Sequence, residues 1–355
     1  MDEFARRPAA DRRAYFEESA ARRDLTAIII EKDFWVCWTL RRLVQASALA
    51  DQLTFKGGTS LSKAYGVIAR FSEDIDLTIS RDVPHLNDVG SPMEEGISGK
   101  ERERRGKQLM TQAQAYVADI AMPVLGEAIE AALGTAEGWS LELDPGDADR
   151  QTLLFAYPRT SGYGLAYGED YGGSGESGYV KPRVKLEFGA RGDTEPSELR
   201  STVPYVAEDF PGEFADAVTP VPTLGVERTF WEKVTILHAI HHNGKLRAGM
   251  SRHYYDVLML DRAGIAPAAL ARPDLLARVV ANKSVMFADK SASYGSAVIG
   301  SLRLLPTGEG RSLLDRDYAD MSEMFMETPP TIEELIEGLN ALEAVLNEEG
   351  SEPRG

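Results

Sequence analysis

Apolar residues recur at helical spacing from Leu25 to Val44, with the charged triplet Glu31-Lys32-Asp33 inside the run and Asp24 or Thr26 available as N-cap. The pattern predicts a buried helix. A short strand, Leu53 to Lys56, ends at the pair Gly57-Gly58; Thr59 to Ile68 then reads as a helix, and Ile75 to Ser80 alternates as a second strand. Residues 81 to 98 carry Pro, Asn, Gly and Ser and read as a loop, while Gln108 to Leu133 is Ala-rich and helical. Three β-like runs follow, Trp139 to Leu143, Thr152 to Tyr157 and Val180 to Phe188. The Gly- and Tyr-rich stretch from Ser161 to Tyr179 reads as a long hairpin loop, the alternative being a substrate-contacting flap that stacks through Tyr163, Tyr167 and Tyr171.

Beyond Pro220 and Pro222 the pattern turns helical, through Val226 to His242 and His253 to Ala263. The last helix opens with Thr331 and Glu334 in capping-box spacing and lines up Ile332, Leu335, Ile336, Leu339, Leu342 and Leu346 on one stripe. The expectation is an α+β chain: residues 1–215 as a mixed β-sheet domain with N-terminal helices and a helical insertion, and residues 216–355 as a mostly helical C-terminal domain.

Composition narrows the class. With 355 residues and 43% hydrophobic content the chain can bury a sizeable core. The longest apolar run is interrupted by charges and falls short of a membrane span, and the first residues are Asp- and Arg-rich without an apolar leader, so a cytoplasmic protein with no membrane partner is expected. The single cysteine, Cys37, excludes an internal disulfide and a cysteine-based zinc cluster. A net charge of −17 argues against broad nucleic-acid binding. Two local basic clusters exist, the pairs Arg6/Arg7, Arg12/Arg13 and Arg22/Arg23 and the run Lys100 to Lys107, but interspersed acids favour solvated helix faces. His238 and His242 have a spacing that permits zinc, yet Ala239 follows the first His where metalloprotease chemistry needs Glu, so ordinary packing is the better reading.

The chemistry concentrates in Lys56-Gly57-Gly58-Thr59-Ser60-Leu61 followed by Arg70-Phe71-Ser72-Glu73-Asp74-Ile75-Asp76-Leu77. Glycines between a strand and a helix N-terminus let the backbone approach a phosphate, with free N–H groups and the helix dipole favouring the anion. Thr59 or Ser60 can add a hydroxyl donor. Asp74 and Asp76, two apart on a strand, project to one side and can ligate Mg²⁺. Either motif alone is weak; in this order, with a helix between, both serve transfer of a nucleotide from a triphosphate. Glu187, in Val184-Lys185-Leu186-Glu187-Phe188, is a candidate third carboxylate and Lys185 a candidate phosphate contact, against the alternative of a half-exposed strand carrying a cross-strand ion pair.

These segments, with Glu31-Lys-Asp-Phe-Trp35, Glu227-Arg-Thr-Phe-Trp-Glu-Lys233 and Arg252-His-Tyr-Tyr-Asp256, resemble the AbiEii/AbiGii toxin family of nucleotidyltransferases, itself similar to the MenT toxins and to the DNA polymerase β-like superfamily. The resemblance implies a nucleotidyltransferase-type mixed sheet with flanking helices and a Mg²⁺-dependent enzyme that moves an NMP from an NTP. It also implies a toxin with a cognate antitoxin, and as acceptor the 3′ end of tRNA. Carried over by motif, Gly58, Thr59, Asp74 and Asp76 form the nucleotide and metal site, Lys233 is the lysine of the third block and Asp256 the aspartate of the fourth. The expected sites are thus catalytic Asp74, Asp76, Lys233 and Asp256; nucleotide-binding Lys56, Gly57, Gly58, Thr59, Ser60 and Arg252; and metal-binding Asp74, Asp76 and Glu187. Arg252 and Asp256, four apart on a helix, would pair. His253 stands where many relatives carry an acid, which leaves its role open. Transfer to a protein or small molecule, or a degenerate nucleotide-binding partner protein, are the alternatives; the intact Asp-x-Asp disfavours the last.

Overall fold

A computed structural model describes residues 1–160 and 181–348. The expected hairpin loop or flap at 161–179 lies outside the described residues. Seven strands form one mixed sheet: β1 (Leu53–Lys56), β2 (Asp74–Ile79), β3 (Ser140–Leu143), β4 (Thr152–Ala156), β5 (Val184–Gly189), β6 (Ser197–Thr202) and β7 (Thr219–Leu224), in the order β3-β4-β5-β2-β1-β7-β6. β2 lies at the centre, antiparallel to β1 and parallel to β5. The helix Ala27–Gln45, capped by Thr26 Oγ1 accepting from Ile29 N, packs Phe34, Trp35 and Trp38 into the sheet core with Phe55, Ile75, Leu77 and Phe155. Its charged triplet is buried because each member has a partner. Glu31 accepts from Thr160 N and Oγ1, Lys32 pairs with Glu73, and Asp33 holds Lys63 at 2.8 Å and accepts from Tyr205 N.

β6 and β7 were not legible in the sequence. Pro220 and Pro222 sit inside β7, where each removes a ladder donor, and the parallel pairing of β7 with β1 is confined to Phe55 opposite Thr223. The sheet therefore runs to Leu224, past the expected division at 215/216. The helical insertion also starts earlier than its Ala-rich segment: Ser98 caps a helix at Gly99, which continues through a π turn at Val117–Ala121 to Leu133. Within the basic run Lys100 to Lys107, Arg104 and Arg105 thereby pair with Glu101 and Lys107 with Glu103, while Arg102 donates to the Pro92 and Glu94 carbonyls. Arg7, Arg13, Arg22 and Arg23 pair with Glu213, Glu17, Glu18 and Asp209 in the same way, and Arg12 is buried against backbone carbonyls. Most cations of both clusters are thus held by acids or backbone carbonyls.

From Val226 onward a second core forms around Phe230, Trp231, Tyr254, Leu258, Leu335 and Leu339. Leu61 and Ile68, from the segment between β1 and β2, belong to it, so the Gly57–Lys63 helix is the hinge piece shared by sheet and helical region. Thr331 and Glu334 form the expected reciprocal cap. His238 packs in the core between Ser293 O, Ser296 Oγ and Arg303 N, as a satisfied histidine rather than a metal ligand. No helix among the described residues is long and apolar enough to cross a membrane.

Candidate active site

Alternation along β2 buries Ile75 and Leu77 and turns Asp74 and Asp76 to the other face. Cross-strand register then sets their neighbours: Asp76 lies opposite Lys56 on β1 and Glu187 on β5, and Asp74 opposite Lys185. The chain leaves β1 at Gly57, whose φ of +81° suits glycine, and a β-carbon there would collide with Asp76 Oδ2. At Gly58 a β-carbon would lie 2.6 Å from Arg70 Nη2 and 2.7 Å from Ser72 Oγ. Both glycines are thus fixed by close approach of the side chains that follow.

The structure redirects two expected phosphate donors. Thr59 Oγ1 donates to Asp74 O at 2.5 Å and lies 2.9 Å from Ser72 Oγ, and Ser60 Oγ donates to Gly57 O at 2.8 Å. Both residues are fully buried. The Thr59 hydroxyl ties the glycine turn to β2 and the Ser60 hydroxyl closes the turn on itself, instead of meeting a ligand, because a buried hydroxyl without a partner is costly and both find a backbone acceptor.

Facing this turn, a cavity of about 220 Å³ is lined by Lys56, Gly57, Gly58, Asp74, Asp76 and Glu187 from the sheet and by Lys233, Arg252 and His253 from the helices Val226–Asn243 and Ser251–Arg262. Asp256 does not pair with Arg252 as its spacing suggested. Its carboxylate is fully buried, takes Arg70 Nε and Nη2 at 2.7 and 2.8 Å, and holds Lys233 Nζ at 2.7 Å. Burial would raise its pKa, but Arg70 and Lys233 hold it well below the usual carboxylate range. With both oxygens engaged, Asp256 positions Lys233 and Arg70 and does not reach the cavity. Arg252, exposed, and Lys56 line the cavity with no salt-bridge partner among the described residues.

The carboxylates carry the complementary strain. Burial, then the neighbouring Glu187 and Asp74, push the Asp76 pKa up to about 6 against the pull of Lys56. Asp74 is raised by burial and by Glu187. An all-oxygen donor pair whose like charges are incompletely compensated fits a hard dication. Glu187 is in register to join them, but its carboxylate is paired with Lys185 two residues away on its own strand rather than across strands. Among the described residues no group of three metal-binding side chains is assembled.

Arg70, Ser72 and His253 also belong to the site and had been given no settled role. Arg70 was inside a recognised motif, but its partner lies 186 positions away and no local spacing announces it. Arg228, in the third motif, is structural: fully buried, it binds Asp193 and Glu195 O and so fastens the segment before β6 to the helical region.

Residues 38–348 match the family described as nucleotidyl transferase AbiEii toxin, type IV TA system, a span that leaves the Glu31–Trp35 block outside. No curated protein matches the chain significantly. Among solved structures it is similar to MenT4, a nucleotidyltransferase toxin from Mycobacterium tuberculosis, over 98% of this chain and 99% of that one, at 14% identity and a TM-score of 0.34. A likeness that distant decides nothing about this chain. The family match spans most of the sequence and includes the Lys56–Asp76, Glu187, Lys233 and Asp256 segments: the chain belongs to the AbiEii family of nucleotidyl transferase toxins of type IV toxin–antitoxin systems, and is a nucleotidyltransferase.

Proposed function

We propose that the chain transfers an NMP from an NTP to a hydroxyl acceptor, the 3′ end of tRNA, and that it acts as the toxin opposite a cognate antitoxin. The observation that carries the transfer is the pairing of Asp74 and Asp76 with a cation-lined cavity at a glycine turn. The acceptor rests on the family resemblance. In this reading the N–H groups at Gly57 and Gly58, with Lys56, Arg252 and Lys233, receive the triphosphate. Asp256 and Arg70 fix Lys233 so that its charge is in place before the reaction begins. Asp74 and Asp76 would hold Mg²⁺, with Glu187 available once it leaves Lys185. When bound, the ion would polarise the α-phosphate and stabilise the leaving pyrophosphate.

The test is incubation with each α-³²P-labelled NTP in turn, together with Mg²⁺ and either total tRNA or total protein. Label on tRNA is expected, lost in Asp74→Ala and Asp76→Ala at unchanged folding. Label only on protein would overturn the acceptor, and undiminished transfer by either variant would overturn the metal assignment.

A further inference from the structure

A second cavity, of about 420 Å³ and within the range of small-molecule sites, adjoins the first and shares Lys56, Asp76 and Glu187 with it. Its far side is made by the loop between β3 and β4, by Arg191 and by Phe287. Phe287 is 42% exposed, although most large apolar side chains here are buried, and the Arg191 guanidinium lies 4.8 Å from its ring centroid. An open aromatic face backed by a guanidinium, at the mouth of a cavity that reaches the reaction centre, is a platform for a flat ligand.

Charge separates the two cavities. The first has the glycine turn and the cations that a triphosphate needs. In the second, Asp147 accepts from Gln151 N, Asp149 N and Thr152 Oγ1, which hold it below the usual carboxylate range against its burial. Asp144 accepts from Gly146 N. Lys185 is occupied by Glu187, and Arg191 by Asp149 at 3.2 Å. A phosphate entering there would meet Asp144, Asp147 and Asp149, and while Lys185 stays on Glu187 the shared Lys56 is the one lining cation without a salt-bridge partner among the described residues.

We propose that the second cavity is the subsite for the uncharged end of the acceptor, a nucleoside whose base stacks on Phe287 and Arg191 and whose sugar hydroxyl meets the shared wall at Asp76 and Glu187. The inference rests on the transfer reaction proposed above and deepens it. The hydroxyl oxygen forms a bond to the α-phosphorus while the bond from that phosphorus to the bridging oxygen breaks. Pyrophosphate leaves with the electron pair, and the hydroxyl proton passes to the Glu187 carboxylate.

Phe287→Ala and Phe287→Trp test this in the full chain, with total tRNA as acceptor probe and KM measured separately for tRNA and NTP. Phe287→Ala is expected to raise the tRNA KM about tenfold, the size of one lost base–aromatic stack, with the NTP KM unchanged and Phe287→Trp restoring it. A rise in the NTP KM instead would assign the cavity to the nucleotide's own nucleoside and overturn the proposal. Unaltered tRNA KM in Phe287→Ala would overturn it as well. If the wild type labels no tRNA, the acceptor reading fails and this proposal with it; if it labels tRNA and the variants behave as wild type, this proposal fails alone.

Discussion

Lys233 stands in a buried cluster with Arg70 and Asp256, and replacing it separates a role in chemistry from a role in folding. The cluster holds two cations and one carboxylate, all three buried, so it carries one net positive charge at the wall of the cavity. Lys233→Met removes that excess and leaves Asp256 with its bidentate Arg70, at 2.7 and 2.8 Å. Because the remaining pair is neutral and hydrogen-bonded and Met refills the lysine stem, stability should change by no more than about 1 kcal/mol. Turnover should nevertheless fall by roughly 10²-fold or more, the range for losing a fixed charge that stabilises the transition state, and added Mg²⁺ should not restore it. Asp256→Asn gives the contrasting result. It leaves Arg70 and Lys233 buried without a counter-charge and should cost about 3–5 kcal/mol. Urea unfolding at constant m, beside transfer rates at saturating NTP over a Mg²⁺ series, measures both quantities. If Lys233→Met kept its turnover and lost several kcal/mol, Lys233 would be a structural ion-pair partner. The triphosphate charge would then fall to Lys56 and Arg252.

Other perturbations read different parts of the site. Gly57→Ala should abolish transfer and destabilise the chain by roughly 1–3 kcal/mol, since φ there is +81° and the new methyl meets Asp76; wild-type activity would refute the close approach. Thr59→Val should cost about 1–2 kcal/mol in chemical denaturation and lower kcat by releasing Asp74, with the NTP KM unchanged; a raised KM alone would return Thr59 to the phosphate-binding set. Asp76→Asn should be more stable than wild type in chelator-containing buffer above pH 6. The folded-state pKa of about 6 exceeds the unfolded value near 3.9, so the wild type loses stability as pH rises between them. The advantage should approach up to about 3 kcal/mol above pH 6 and vanish near pH 4, and a constant difference across that range would refute the strained carboxylate. Expression without the antitoxin should slow a bacterial host, and Asp76→Ala should not; equal growth at matched protein levels would remove the toxic role.

Periodicity and capping chemistry are local, and where they decide an element the sequence was sufficient. The helix Ala27–Gln45, the strands β1 and β2 around the glycine pair, and the final helix with its Thr331–Glu334 cap follow from spacing alone. Alternation on β2 likewise placed Asp74 and Asp76 on one face before any fold was known. β7 escaped because its two prolines read as a break; only its place between β6 and β1, with six positions paired on the β6 side, makes the segment a strand.

What the tertiary structure alone decided is partnership across long separations. Asp256 could take Arg252 by helical spacing, but packing of its helix buries the carboxylate against Arg70, and a buried charge takes the partner that is equally desolvated. Thr59 and Ser60 looked like phosphate donors because hydroxyls at a glycine turn are free in sequence; the fold closes over them and gives them backbone acceptors. The division of the site into a cationic cavity and an acidic one, meeting at Lys56, Asp76 and Glu187, arises from strand register and from a loop brought in beside β5. The sequence determined which carboxylates and glycines come together at the turn, because their spacing is local. Which charges remain free to use depends on solvent exclusion by segments up to 186 residues apart, and that exists only once the chain has folded.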